Sequence, residues 1–301
     1  MGGGTNKFVH LQAVAYEMDI DVTPDTWDKI QRKIPTLVNV APSDTRKVPN
    51  TVYDLHMAGG VPAVMLEIKD FLHLDCMTVT GKTVKENLKD VVATCNTGVI
   101  RPRSKPFFPE GTMVILKGNI APTCGVMRHS IVRHRELLQH SFEAITFDSH
   151  IEAIRAIITR EPKEVKQGQA VVVRYEGPRG NAMPDELGVN RALRTVALDR
   201  VCVVTDGRTS GWTRDLPTIV NVCPEAYVGG PLAIVKDKDI IKLDTKNRRI
   251  DVDLSDEEIE ARLRKWTPHE PQQKKGFAGL YARLALQADK GAGFPKEWTK
   301  E

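Results

Sequence analysis

The first residues follow a helical pattern: Phe8, Leu11, Val14, Ala15 and Met18 recur at steps of three and four, which predicts a helix with one apolar face. Thr23 offers a good N-cap oxygen and Pro24 suits the first helical position. A second helix is therefore expected there, with Trp27, Ile30 and Ile34 inward and Pro35 ending it. After Gly59-Gly60, the residues Val61, Val64, Met65, Ile68 and Phe71 give helical spacing over 61–73. Past Asn87 the texture changes, because Gly98, Pro102, Pro106, Pro109 and Gly111 crowd into a span that reads as a linker. Short β-rich runs follow at 113–116, 170–175, 200–205 and 233–235, separated by glycine and proline turns, and they predict mixed or barrel-like β structure. Two helices interrupt them behind capping boxes, Ser149 with Glu152 and Ser255 with Glu258. Ile250, Val252 and Leu254 alternate as in a half-buried strand.

With 301 residues, 41% of them hydrophobic, the chain can bury a substantial core. A net charge of +4 is too dilute to favour nucleic acid or an anionic membrane as partner. No run of about 18 apolar residues and no charged-then-apolar leader is readable, so a cytoplasmic protein is the expectation. Five cysteines, Cys76, Cys95, Cys124, Cys202 and Cys223, never fall in C-x-x-C spacing and read as small buried hydrophobes in a reducing compartment. Gly81-Lys82-Thr83 ends like a phosphate-binding loop, but Cys76 stands where that loop needs glycine. His129, His134 and His140 lie among Arg128, Arg133 and Arg135, which opposes a bound cation and reads as a solvated basic face.

Two loops carry the useful chemistry, each directly after a β-run. In the first, residues 174–186, a glycine-rich loop holds backbone amides and the hard carboxylate oxygens of Asp185 or Glu186 where an anion or Mg2+ could bind. An ordinary surface loop is the bland alternative. In the second, Asp206-Gly207-Arg208-Thr209-Ser210-Gly211 is followed by Thr213 and Arg214. A serine beside glycine can be held exposed on a tight turn, and nearby cations favour its ionised form.

These loops, RYEGPRG with MPD and then VTDGRTSG, are followed by PEA and by Gly229-Gly230-Pro231. Upstream stand Gly3-Gly4-Thr5-Asn6 with His10-Leu11, then Ala58-Gly59-Gly60-Val61-Pro62-Ala63, then Asp75-Cys76-Met77-Thr78-Val79-Thr80-Gly81-Lys82-Thr83. In order and spacing the series resembles the C-terminal half to two-thirds of the dihydroxy-acid and phosphogluconate dehydratase family. The resemblance implies an α/β protein: the truncated end of an α/β domain over residues 1–90, then a β-barrel-like domain with peripheral helices over 91–301.

The resemblance further implies a hydro-lyase that turns 2,3-dihydroxy acids into 2-oxo acids in branched-chain amino-acid biosynthesis. Sugar-acid dehydration and a non-catalytic, hydroxy-acid-binding or assembly role are the alternatives. An iron-sulfur cluster would act on the leaving hydroxyl and Mg2+ would hold the substrate. By the same resemblance Ser210 matches the proton-abstracting serine, Arg208, Thr209 and Gly211 flank it as substrate-binding positions, and Asp185 falls where a Mg2+-binding glutamate is usual. Three departures stand out. The family's cluster cysteines precede Gly3, so the expected partner is a homo-oligomer mate or a chain supplying the cluster half. Asp185 is one methylene shorter than the usual glutamate. The usual His-Val-Ser-Pro-Glu-Ala reads Asn221-Val222-Cys223-Pro224-Glu225-Ala226.

Overall fold

Runs of Val, Ile and Ala in the central strands, buried on both faces, and alternating strands beside them close into an eight-stranded barrel in the computed structural model, whose described residues are 3–41, 50–92, 98–210 and 215–296. The strands are β1 (Val114–Gly118), β2 (Ala121–Met127), β3 (Gln139–Phe147), β4 (Gln169–Val173), β5 (Cys202–Thr205), β6 (Thr218–Cys223), β7 (Ile240–Asp244) and β8 (Arg249–Val252). Around the barrel their order is β1-β2-β6-β5-β4-β3-β7-β8. The run β3, β4, β5, β6 is parallel and β1 meets β8 in parallel, while the other neighbours pair antiparallel. One apolar cluster takes side chains from all eight strands, among them Leu116, Met127, Phe142, Val172, Val204, Ile219, Ile241 and Ile250, and is therefore the barrel interior. The alternate residues face outward, as the two-residue period of a strand requires.

The helices are α1 (Asn6–Glu17), α2 (Pro24–Lys33), α3 (Val52–Met57), α4 (Gly60–Glu67), α5 (Val84–Leu88), α6 (His150–Thr159), α7 (Pro178–Asn181), α8 (Leu187–Thr195), α9 (Asp256–Lys265) and α10 (Gly276–Leu284). Two compact units result, one built on residues 29–112 and the other on 4–28 with 113–301. The first has its own small core of Leu37, Val38, Ala63, Val64, Ile68 and Ile100, and among its described residues the β structure is confined to isolated bridges. In the second, α6 and α8 cover Val171, Val173 and Val203, while Phe8 and Trp27 cover Ile115, Val126 and Val220. Among the described residues no helix is long and apolar enough to cross a membrane.

Several local expectations need correction. On α1 the buried residues are Phe8, Val9, Gln12 and Ala15, whereas Leu11, Val14 and Met18 stay exposed. The helix is rotated because Gln12 is held inside: its amide donates to the carbonyls of Val22 and Asp289 at 2.6 and 2.7 Å, and its oxygen accepts from the Trp27 indole at 3.2 Å. On α2 Trp27 is buried but Ile30 is exposed. The run 233–235 is no strand: Gly230-Pro231 opens a 3-10 turn over Pro231–Ile234. Ser149 and Ser255 do cap α6 and α9, accepting from the N–H groups of Glu152 and Glu258, but the Glu258 carboxylate turns away to Arg262 at 2.7 Å. His129, expected on a solvated face, is buried.

Candidate functional site

Parallel pairing sets β4 and β5 level, with Val173 opposite Thr205, so the loops leaving both strands emerge side by side. They are joined by a bridge between Asp185 and Arg208, and the Glu186 N–H donates to the Arg208 carbonyl at 2.9 Å. The two sequence motifs thus meet at one end of the barrel.

Four of the candidate residues come together here. The Ser210 N–H donates to Asp185 Oδ1 at 3.3 Å, and the Leu187 N–H donates to the same oxygen at 3.0 Å. Arg208 Nη1 lies 3.4 Å from Asp185 Oδ2, while its Nε donates to the Met183 carbonyl at 3.0 Å. Thr209 is buried, and its carbonyl accepts from the Thr5 hydroxyl at 3.3 Å. Ser210 Oγ is buried and makes no hydrogen bond among the described residues. Gly211 and Arg214 lie outside the described residues.

Beneath this turn sits a group of buried carboxylates. Asp206 is fully buried and accepts from the N–H groups of Tyr175, Glu176 and Ala226 at 3.1, 2.9 and 2.8 Å, which ties the ends of three chain segments together. Burial first, and the charge of Glu225 second, push its carboxyl up to about 7. Glu186 is fully buried, takes a hydrogen bond from the Thr205 hydroxyl at 2.8 Å on one oxygen and has no partner for the other among the described residues. Burial and then the Glu176 charge push it well above the usual carboxylate range. Glu225, raised chiefly by burial, accepts from the N–H groups of Arg179 and Gly180 and from Gln287. Glu176 accepts from His150 and Asn181, and its hydrogen bond raises the His150 pKa.

Gly207 is the common neighbour of this group. An added Cβ would stand 1.7 Å from Glu186 Oε1 and 2.9 Å from Glu176 Cβ. Its carbonyl accepts from the Asn221 N–H at 2.8 Å. The Asn221 side chain is buried with neither polar atom hydrogen-bonded among the described residues. Buried polar groups in native proteins nearly always have partners, so Ser210 Oγ, Glu186 Oε2 and the Asn221 amide stand out as buried polar atoms without one among the described residues.

Asp185 was anticipated, but Thr5, Glu176, Glu225 and Asn221 gain their roles only through the fold. A signal existed for the carboxylates, since Glu176 stands three residues past the Val171-Val172-Val173 run and Glu225 two residues past the end of β6. A charged residue at such a position ends up at the rim or the floor of the barrel end.

The described residues do not assemble a metal or cluster site. No group of three or more His, Cys, Asp or Glu is placed to hold a metal ion among them. Asp185 has its oxygens directed to two N–H groups and to Arg208. Cluster ligation needs thiolates. Cys124, Cys202 and Cys223 are buried, and their burial pushes each thiol far above its ordinary range, while Cys76 is exposed on the other unit.

Residues 1–87 match the profile of the dihydroxy-acid/6-phosphogluconate dehydratase N-terminal domain, and residues 98–292 match that of the C-terminal domain. Dihydroxy-acid dehydratase of Ignicoccus hospitalis is 42% identical over 295 residues, covering 97% of this chain and 52% of that protein. The dihydroxy-acid dehydratase of Acetivibrio thermocellus is 42% identical over 296 residues, with the same coverage of each. That of Sulfurisphaera tokodaii is 40% identical over 297 residues, 97% of this chain and 51% of the relative. The chain spans about half the length of the curated relatives it matches.

Proposed function

Because the chain belongs to the dihydroxy-acid/6-phosphogluconate dehydratase family, we propose that it forms the serine-bearing half of a hydro-lyase converting 2,3-dihydroxy acids to 2-oxo acids. The reaction removes the C2 proton and the C3 hydroxyl as water, and the resulting enol tautomerises to the 2-oxo acid. The observation that carries the reading is Ser210 Oγ, buried without a hydrogen-bond partner among the described residues, on a turn whose backbone is fixed by Asp185.

In this reading Ser210 Oγ accepts the C2 proton. Serine is a feeble base in water, so the role requires a dry turn and nearby positive charge. Arg208, two residues before Ser210, is the cation this reading relies on, and part of its charge is spent on Asp185. Asp185 and Thr5 position the turn from its two sides, through the Ser210 N–H and the Thr209 carbonyl. Asn221 and Glu186 offer polar atoms for the substrate's oxygens.

The proposal extends to a cytoplasmic enzyme of branched-chain amino-acid biosynthesis. Its iron-sulfur ligands and the rest of its Mg2+ site then come from outside the described residues, in a homo-oligomer or from a partner portion. The test is complementation in vitro. The chain is mixed with the cluster-loaded half of the Ignicoccus hospitalis relative that it does not match, and 2-oxo acid release is followed from a branched 2,3-dihydroxy acid and from a sugar acid. Turnover of the branched substrate is expected. If the relative's own matching half restores turnover and this chain restores none, the reading is overturned.

A further inference from the structure

On the barrel unit, away from Ser210, a cavity of about 550 Å³ opens between α9, the 3-10 turn Pro231–Ile234 and the end of β4. Its size falls within the usual range of small-ligand sites, roughly 300–1,000 Å³. It shares no residue with the Asp185, Arg208 and Ser210 cluster.

The chemistry of its lining is uneven in a telling way. Arg174 is fixed as a wall, donating to Asp148 and to the carbonyls of Ala233 and Val235 at 2.8 Å each. Arg262, also in the lining, is fixed as well, paired with Asp239 at 2.5 Å and with Glu258 at 2.7 Å. The acids of the lining are already answered, Glu258 by Arg262 and Asp237 by Lys163 at 2.8 Å. That leaves Lys236 and Lys265, whose ammonium groups form no ion pair among the described residues. Both line the cavity beside Glu258, whose pKa is lowered chiefly by its hydrogen bond from Arg262 and further by the charges of the two lysines. The remaining wall is apolar, with Ile234, Ala261 and the Trp266 ring, which is held in place by its indole N–H donating to Tyr175 Oη at 3.3 Å.

Two uncommitted cations beside an indole and aliphatic side chains suit an anion with an apolar body. We propose that this cavity binds a small organic anion, a carboxylate or phosphate ester carrying a flat or branched apolar group, at a site separate from Ser210.

The probes are phenylacetate and phenyl phosphate, with benzyl alcohol as the uncharged control and inorganic phosphate as the control without a body. Binding to the whole chain is followed by calorimetry and by line broadening of the probe's NMR signals. Saturable binding of at least one aromatic anion is expected, with affinity reduced about tenfold or more in Lys236→Ala/Lys265→Ala, the loss of hydrogen bonds to charged groups. Both lysines are exposed, so that variant keeps its fold, and Trp266→Phe should weaken binding without abolishing it. Ser210→Ala should leave it unchanged, which separates this site from the proposed catalytic one. A preference for phenylacetate identifies a carboxylate ligand and a preference for phenyl phosphate a phosphate ester. The inference fails if neither anion binds saturably, if benzyl alcohol binds equally well, if inorganic phosphate matches phenyl phosphate, or if the lysine variant binds as tightly as the parent.

Discussion

The hydroxyl of Thr5 donates to the carbonyl of Thr209 at 3.3 Å, across 204 residues of sequence, and so fastens the turn that presents Ser210 from the side opposite Asp185. Thr5 is itself buried. Thr5→Val keeps the shape and removes the donor, leaving the Thr209 carbonyl without this bond, so a loss of about 0.5–1.5 kcal/mol is expected. Thr5→Ser restores the donor and should recover most of it. Urea denaturation of the three proteins reads the effect, and equal midpoints for Val and Thr would show that the contact does not fasten the turn.

Gly207 is required for lack of space. Its φ is not in the left-handed region, but a methyl group there would stand 1.7 Å from Glu186 Oε1 with both carboxylate neighbours packed in. Gly207→Ala should therefore destabilise by about 1–3 kcal/mol or more, as overpacking of a dense core does. Trimming the obstacle in Gly207→Ala/Glu186→Ala should recover part of the loss, so the double variant should be more stable than the sum of the single changes. Thermal melting of the four proteins measures that coupling, and simple additivity would contradict the contact.

The buried carboxylates set a pH dependence whose sign follows from their direction. Glu186 is pushed well above 4.5 and Asp206 from 3.8 to about 7, so the folded chain holds protons that the unfolded chain has released. Stability from these groups is complete below the unfolded carboxylate range and is lost as pH rises through about 7. His150, raised by Glu176, acts in the same sense. The melting temperature should accordingly fall between about pH 5 and pH 8, and Glu186→Gln, which needs no proton, should flatten that fall and gain on the parent toward the alkaline end. A melting temperature that rises steadily over that interval would refute the assignment.

Much of this architecture can be read from the chain because its strands are locally obvious. The Val-rich runs ahead of Arg174 and of Asp206 announce β4 and β5, and chemistry placed directly after a strand announces the two loops. What cannot be read locally is closure. Cys124 stands opposite Cys223 on β2 and β6, a pairing of distant segments that no window of sequence contains, and β2, β3, β6 and β7 escape a reading made run by run. The same holds for faces. Leu11, Val14 and Met18 promise a buried stripe on α1, but Gln12 finds its partners in Val22, Trp27 and Asp289 and turns the helix around them. Asn221 stands out in the sequence only as a departure from the family's usual histidine, and that its side chain is buried within β6 is visible only in the fold.

Ser210→Ala discriminates most sharply between a working serine and a structural one. A structural serine on a tight turn usually bonds the backbone nearby, and losing that bond costs about 0.5–1.5 kcal/mol. Ser210 Oγ makes no such bond among the described residues, and the turn is held instead by the Ser210 N–H on Asp185 and by Thr5 on Thr209, both of which alanine leaves intact. Stability should therefore stay within about 0.5 kcal/mol of the parent. In the complemented assay, proton abstraction should lose the general-base contribution, about 10²–10⁴-fold, with exchange of the substrate's C2 proton into deuterated water falling alongside turnover. Because Arg208 and Asp185 remain, substrate affinity should change far less than the rate. A variant that melts several degrees lower while keeping turnover and exchange would assign Ser210 to the turn and remove it from the chemistry.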